Sequence, residues 1–271
     1  MLSKLDALTA VGGERAIVAA LHLPDLRSES GRSMAYLEDY VLTNAGVFAE
    51  AGVPALMLQD QTRETGVARP RTVAVVSALG RLIRHTYPAM QLGIIVQAHD
   101  AEAPLVIAQA SGASFVRLKV FVAAAMTMEG PKTGLGVAAH AVRADLGQPD
   151  IAVYADVFDR TSVPMVDVAP VQGARWAESS GADGLILTGD SFADSLKRIR
   201  DAREAGVRRA ILIGGGVTEE NVVEALQAAD GAIVSTSLMR DGVSPGDRLR
   251  WDGDKTRRLM DRVRAMAPAN G

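Results

Sequence analysis

EAGVRRAILI, residues 204–213, holds the reading that decides the fold. A small-residue helix end meets a glycine, the chain turns through a short polar link, and an apolar run of strand length begins. The same pattern stands in EAGVPALML (50–58), ASGASFVRL (110–118) and SSGADGLIL (179–187). The glycine suits the position just past a helix, where a positive φ costs a Cβ-less residue little. The next small residue packs as the chain enters a sheet. A junction used four times in one chain says that the architecture repeats.

Working outward, apolar runs fall at 16–21, 55–59, 92–96, 114–120, 151–156, 184–188, 210–213 and 231–235. Amphipathic segments separate them, at 33–51, 70–86, 101–111, 133–146, 167–180, 192–205 and 218–228, with a last one at 254–266. Strands alternating with helices imply parallel pairing with helical crossovers. Eight such units without a break in composition predict one α/β domain over residues 1–271, a closed parallel (β/α)8 TIM barrel. An open doubly wound sheet is the alternative. The length fits a single barrel.

Composition narrows the function classes. Hydrophobic residues make up 48% and aromatics only 4%, so the core is built from Ala, Val, Ile and Leu. The net charge of −3, with no basic block, predicts no nucleic-acid footprint. No cysteine is present, which excludes disulfides, thiolate catalysis, cysteine-bound zinc and iron–sulfur clusters. The start, MLSKLDALTAVGGE, makes a poor signal peptide, and no apolar run reaches membrane-spanning length. A cytoplasmic protein is therefore expected. The tail APANG (267–271) is expected to fray.

In a barrel of this class the chemistry gathers at the C-terminal ends of the strands. That rule selects His22 and Asp25 in HLPDL, and Gln59, Asp60, Arg63 and Glu64 in QDQTRE. It also selects Gln97, His99 and Asp100 in QAHDAE, then Asp156, Asp159 and Arg160 after the fifth strand. Thr188, Asp190 and Ser191 follow the sixth. The fourth strand alternates Phe115, Arg117 and Lys119 against Val116, Leu118 and Val120. The aliphatic set belongs on the helix-packed outside, so Arg117 and Lys119 should point inward. Two cations there need carboxylates or a ligand anion to balance them, and Asp60, Asp100 and Asp156 are the candidate counter-charges. Lys119 beside another cation could serve as a Schiff-base nucleophile, and His22, His99 or Asp156 as proton-transfer groups. Asp156 reads equally as a partner for Arg117 or Lys119. His85 and His140 fall within predicted helices and read as surface residues.

The loops after the last two strands carry a different signature. IGGGVTEENV (213–222) offers Gly214, Gly215 and Gly216, and VSTSL (234–238) offers Ser235, Thr236 and Ser237. Backbone N–H groups that approach closely, without a Cβ in the way, make a phosphate seat, and barrels often place one between these loops. Glu219 and Glu220 are expected in the first turn of the seventh helix, which would push the anion off that axis toward Ser235–Ser237. GPKTGLG (130–136) lacks the spacing of a nucleotide-binding P-loop and reads as a mobile loop, long enough to act as a lid, with Lys132 near a ligand.

ALHLPDL, AGVPALMLQD, SGASFVRLKV, ADGLILTGDS, IGGGVTEENV and ADGAIVSTSLMRDG together resemble the BtpA/SgcQ family over nearly the whole chain. The resemblance implies a barrel whose last quarter is similar to ribulose-phosphate-binding barrels. Of the family's members, one is associated with photosystem I accumulation and others lie among sugar-metabolism genes. VQAHDA, LQDQTRE and ADVFDRTSVPM depart from the family pattern, so the polar rim differs while the phosphate end is kept.

The expected ligand is a small phosphorylated metabolite, a sugar phosphate or a nucleotide-derived phosphate. The expected chemistry is isomerisation, lyase action or glycosidic cleavage, with Gln59, Asp60, Gln97, Arg117 and Asp190 as substrate contacts. No cofactor is required for it. A non-catalytic assembly or stability factor, or a hydrolase using a divalent metal, is the alternative. A homo-oligomer is left open.

Overall fold

The computed structural model describes residues 1–158 and 161–266; the APANG tail, Asp159 and Arg160 lie outside the described residues. Eight parallel strands close into a barrel. They are β1 (Ala16–His22), β2 (Ala55–Gln59), β3 (Gln91–Ile95), β4 (Phe115–Leu118), β7 (Ala152–Asp156), β9 (Gly184–Leu187), β10 (Ala210–Ile213) and β11 (Gly231–Val234). Around the ring the order is β1-β11-β10-β9-β7-β4-β3-β2. The crossovers are α2 (Met34–Glu50), α3 (Pro70–Thr86), α4 (Glu102–Ser111), α5 (Gly136–Asp145), α6 (Pro170–Ser179), α7 (Phe192–Glu204) and α8 (Val222–Ala228), and α9 (Gly253–Arg264) completes the outer layer.

The four repeated junctions behave as their sequence requires. Gly52, Gly112, Gly181 and Gly206 adopt φ of +74°, +77°, +96° and +86°. Ala51, Gly112, Ser180 and Ala205 end the helices that precede them, and each strand then starts within a few residues.

Two hydrophobic cores result. One fills the space between the strands' outer faces and the helices. The other fills the barrel and takes one set of alternating residues, among them Ala20, Met57, Ile95, Phe115, Tyr154, Ile186, Leu212 and Ile233. Its two large rings fit because their cross-strand partners are glycines. Phe115 faces Gly93 and Tyr154 faces Gly184, and a Cβ on either glycine would sit 2.1 Å from the ring opposite.

Sequence reading did not anticipate α1 (Lys4–Ala10), which plugs the N-terminal end of the barrel. Its Ala7 and Leu8, with Val11, join the interior core, and the Tyr154 hydroxyl donates to the Ala7 carbonyl at 2.9 Å. A second correction concerns GPKTGLG. The segment expected as a mobile loop is largely strand: β5 (Ala124–Thr127) and β6 (Gly130–Thr133) form an antiparallel hairpin, and β8 (Val163–Pro164) pairs with the free edge of β5. This small sheet ties the loop after β4 to the loop after β7.

Candidate functional site

The interior alternation explains how the rim is built. Successive strand residues point to opposite faces, so stepping two residues beyond an interior position stays on the inside. From Ala20, Met57, Ile95, Phe115, Tyr154, Ile186, Leu212 and Ile233, that step reaches His22, Gln59, Gln97, Arg117, Asp156, Thr188, Gly214 and Ser235. Every strand thus switches from apolar to polar, or to glycine, within one step along its inward face. Except for Gln97, these residues line one cavity of about 420 Å³. Its remaining walls include Lys119, Thr161, Gly215, Gly216, Val217, Thr218, Thr236 and Ser237. A second cavity of about 280 Å³ adjoins it, sharing Gln59, Arg117, Lys119 and Thr161. Gln97 and His99 stand in its wall, and the hairpin residues Thr127, Met128, Glu129 and Lys132 close another side.

Arg117 points inward as its alternation requires. It donates to both Asp156 oxygens, Nε at 2.9 Å and Nη2 at 3.0 Å, in a pair whose side chains are 14% and 2% exposed. Asp60 and Asp100 do not share that task. Asp60 lies one residue past the inward-facing Gln59, on the opposite face, and is fully buried. Its carboxylate accepts from the amides of Thr62 at 2.8 Å and Gln97 at 3.4 Å, and burial raises its pKa. Asp100 organises the start of α4, accepting from Glu102 and Ala103, and binds the Ala68 amide with its other oxygen. Asp190 sits at the exposed entry to α7 and lines neither cavity, whereas Thr188, two residues earlier, does. Alternation from Ile186 was the signal that distinguishes them.

Lys119 donates to Gln97 Oε1 at 3.3 Å and stands in the wall between the cavities. The chain folds back directly after it. Val120 and Ala123 take left-handed φ of +46° and +59°, unusual for a β-branched residue and for alanine. The turn is held by the Gly134 amide on Ala123 O at 2.9 Å and the Leu135 amide on Val120 O at 3.2 Å. Backbone strain of this kind persists where surrounding structure imposes it, and it gathers at functional sites.

The two histidines occupy different chambers. His22 lines the larger, with Nε2 3.3 Å from Ser235 Oγ. The Ser235 hydroxyl already donates to Ala20 O at 2.8 Å, so the imidazole is the donor in that contact. Burial, and then the positive charges of Arg250, Arg117 and Lys119, push the His22 pKa down to about 4. His22 is therefore neutral near pH 7. His99 holds Nε2 2.8 Å from Thr133 O, and since a carbonyl only accepts, that nitrogen carries the proton. Burial, followed by Lys132, lowers its pKa. Lys132 itself reaches Glu129 at 3.4 Å, and Glu129 also accepts from Arg63 at 2.6 Å.

The glycine loop is shaped for close approach. A Cβ on Gly214 would fall 2.1 Å from Thr188 Oγ1, while Gly216 takes φ of +75° with open space where its side chain would be. Asn221 staples the loop, accepting from the Thr218 amide at 2.8 Å and donating to Gly216 O at 2.9 Å. Ser237 Oγ donates to Val217 O at 2.8 Å, joining this loop to the 3-10 turn Thr236–Leu238. Among the described residues, the amides of Gly215, Gly216, Thr236 and Ser237 donate to no protein acceptor. Glu219 and Glu220 precede α8 rather than opening it, and Glu219 turns outward to Arg258 at 2.9 Å and Arg262 at 3.9 Å. The first-turn position expected for the two carboxylates is thus not observed, and Glu219 is neutralised by its arginine partners.

A model of the BtpA family matches residues 13–265. The chain belongs to the BtpA family. The photosystem I biogenesis protein BtpA of Synechocystis is 27% identical over 233 residues, spanning 83% of this chain and 81% of its own length. The sgc region protein SgcQ of Escherichia coli is 26% identical over 257 residues, spanning 86% and 89%. Among solved structures, a chain of the tryptophan synthase complex from Pyrococcus furiosus superposes with a TM-score of 0.60 at 13% identity, over 92% of this chain and 98% of that one. The N-(5'-phosphoribosyl)anthranilate isomerase of the same organism gives 0.52 at 13% identity, over 93% and 100%. Likeness at that identity establishes the barrel fold for this BtpA-family chain. Among the described residues, no helix is long and apolar enough to cross a membrane, and no group of three or more acidic or histidine side chains could hold a metal.

Proposed function

We propose that the protein binds a small phosphorylated metabolite in the cavity of about 420 Å³ and acts on it as an isomerase or lyase. The carrying observation is the convergence of the Gly214–Gly216 and Ser235–Ser237 loops, with amides that have no protein acceptor, on a cavity that Arg117 and Lys119 face. Phosphate sits on those amides, which form close contacts without a side chain in the way. Arg117, fixed by Asp156, polarises the substrate's oxygen. Lys119 moves a proton or attacks a carbonyl as an amine. His22, neutral and held by its Nε2–H on Ser235 Oγ, packs beside the phosphate. The fold-related phosphoribosylanthranilate isomerase carries a phosphorylated ligand in its name, which agrees with this reading.

Ribose 5-phosphate at millimolar concentration is expected to raise the melting temperature, while ribose is not. Gly216→Asp brings a carboxylate to the glycine loop, at the cost of some backbone strain at φ +75°, and should abolish the shift. Lys119→Met should keep the shift and abolish turnover. If neither ribose 5-phosphate nor inorganic phosphate stabilises the protein, the reading fails.

A second reading is favoured by the small sheet over the rim. Met128 is 85% and Val163 68% exposed there, an apolar surface that an assembly factor would use. It predicts that Lys119→Met leaves the cellular phenotype intact, whereas Met128→Asp abolishes it.

A further inference from the structure

A third cavity, of about 910 Å³, opens beside the phosphate cavity, and His22 belongs to the wall of both. The loop after β1, the start of α2 and the segment before α9 surround it. Arg250 stands in its wall with an environment unlike that of three other arginines withdrawn from solvent. Arg117, Arg143 and Arg203 each pair with an aspartate. Arg250 is half-buried, and among the described residues no carboxylate pairs with it. Its guanidinium lies 5.6 Å from the Trp251 ring centroid, close enough to the Tyr40 phenol for its charge to act on it. The Tyr40 hydroxyl itself donates to His22 O at 2.8 Å. Arg250 Nε is buried with no acceptor, and so is Nε2 of Gln61, another residue of the same wall.

The acids nearby leave this charge unanswered. Asp25 is occupied by Arg27, which reaches its two oxygens at 3.1 and 2.7 Å, and Glu29 is exposed to water. A guanidinium partly withdrawn from solvent, packed on an aromatic ring and short of acceptors, is a costly arrangement unless an anion completes it. Its planar fork matches an oxyanion with two oxygens.

We propose that Arg250 forms a second oxyanion subsite, and that the ligand carries, besides its phosphate, a carboxylate or a second phosphate that reaches past His22 to Arg250. The two-headed ligand rests on the phosphate reading above; the oxyanion subsite does not. The substrate class narrows accordingly to phosphorylated acids and bisphosphates. A substrate bound at both ends is held with its middle against His22, Lys119 and Arg117.

Calorimetric titration with glucose 6-phosphate, 6-phosphogluconate and fructose 1,6-bisphosphate tests this, because the three share a sugar scale and differ in the second anion. At least one double anion should bind about tenfold more tightly or better than glucose 6-phosphate, as a charge-assisted hydrogen bond provides. The sugar acid and the bisphosphate tell carboxylate from phosphate at Arg250. Arg250→Gln should erase the preference and leave glucose 6-phosphate binding within about twofold. Arg250→Lys keeps the charge without the fork and should retain part of it, which separates lost recognition from lost folding when both variants melt like the wild type. Equal affinity of all three ligands for the wild type, or an undiminished preference in Arg250→Gln, overturns the proposal. If glucose 6-phosphate and inorganic phosphate do not bind at all, the phosphate reading falls instead. Malonate binding that Arg250→Gln abolishes then upholds the oxyanion subsite, and malonate binding insensitive to Arg250 refutes it.

Discussion

Among the described residues, the two most deeply buried arginine–aspartate pairs stand at opposite ends of the barrel, and they are used differently. At the N-terminal end Arg143 pairs with Asp183, and every strong group is answered. Asp183 also accepts from the amides of Leu2 at 2.9 Å and Val153 at 3.0 Å, while Arg143 donates to Ile151 O at 3.0 Å. The pair thus knots the N-terminal segment, α5, β7 and the approach to β9 beneath the plug of α1. At the other end Arg117 and Asp156 make a similar two-residue contact, but the guanidinium forms the wall of two cavities. Burial and charge are alike; what separates a structural pair from one available for chemistry is an open cavity beside it.

The largest effect should come from breaking the sealed pair. Arg143→Ala leaves the Asp183 carboxylate buried without its cation, which costs about 3–5 kcal/mol of stability. Urea denaturation measures it, and ribose 5-phosphate should still bind whatever remains folded. A loss below about 1 kcal/mol would mean that water enters this end as freely as the other.

Next in size is a proton effect at the open end. His22 has a folded-state pKa of about 4 against an ordinary value of 6.5. The unfolded chain therefore binds more protons than the folded one between those limits, and stability rises with pH there. It is complete above about pH 6.5 and is lost as the pH falls toward 4, by on the order of 3 kcal/mol. His22→Asn removes this component. Urea titrations at pH 7.5 and 4.5 should show a shallower pH dependence in the variant, and parallel curves would mean that His22 takes its proton as easily folded as unfolded.

The contrast between the ends also marks what the sequence could convey. Strands and their glycine junctions are local patterns, so all eight barrel strands were readable, as were the inward turn of Arg117 and the rim positions His22, Gln59 and Ser235. The plug escaped because a helix of seven residues has too short a period to announce itself. The small sheet escaped because β8 has two residues and owes its existence to a partner nearly forty positions earlier. Asp60 was misplaced by reading nearness to the strand end without its face. The unanswered charge of Arg250 is invisible in sequence, since it depends on which acids do not arrive.

The smallest of these effects tests the open pair directly. In Arg117→Ala the Asp156 carboxylate also loses its guanidinium, but the deleted side chain extends an existing cavity that water can fill. Solvation from that side replaces part of what Arg117 supplied, so the stability cost should be about 1–3 kcal/mol, less than for Arg143→Ala. Binding should respond in the opposite order: Arg117→Ala weakens ribose 5-phosphate by tenfold or more if its guanidinium touches the ligand, and Arg143→Ala leaves affinity unchanged. Were the two variants equally unstable and equally able to bind, the open cavity would confer nothing on its ion pair, and the functional reading of the C-terminal rim would lose its physical basis.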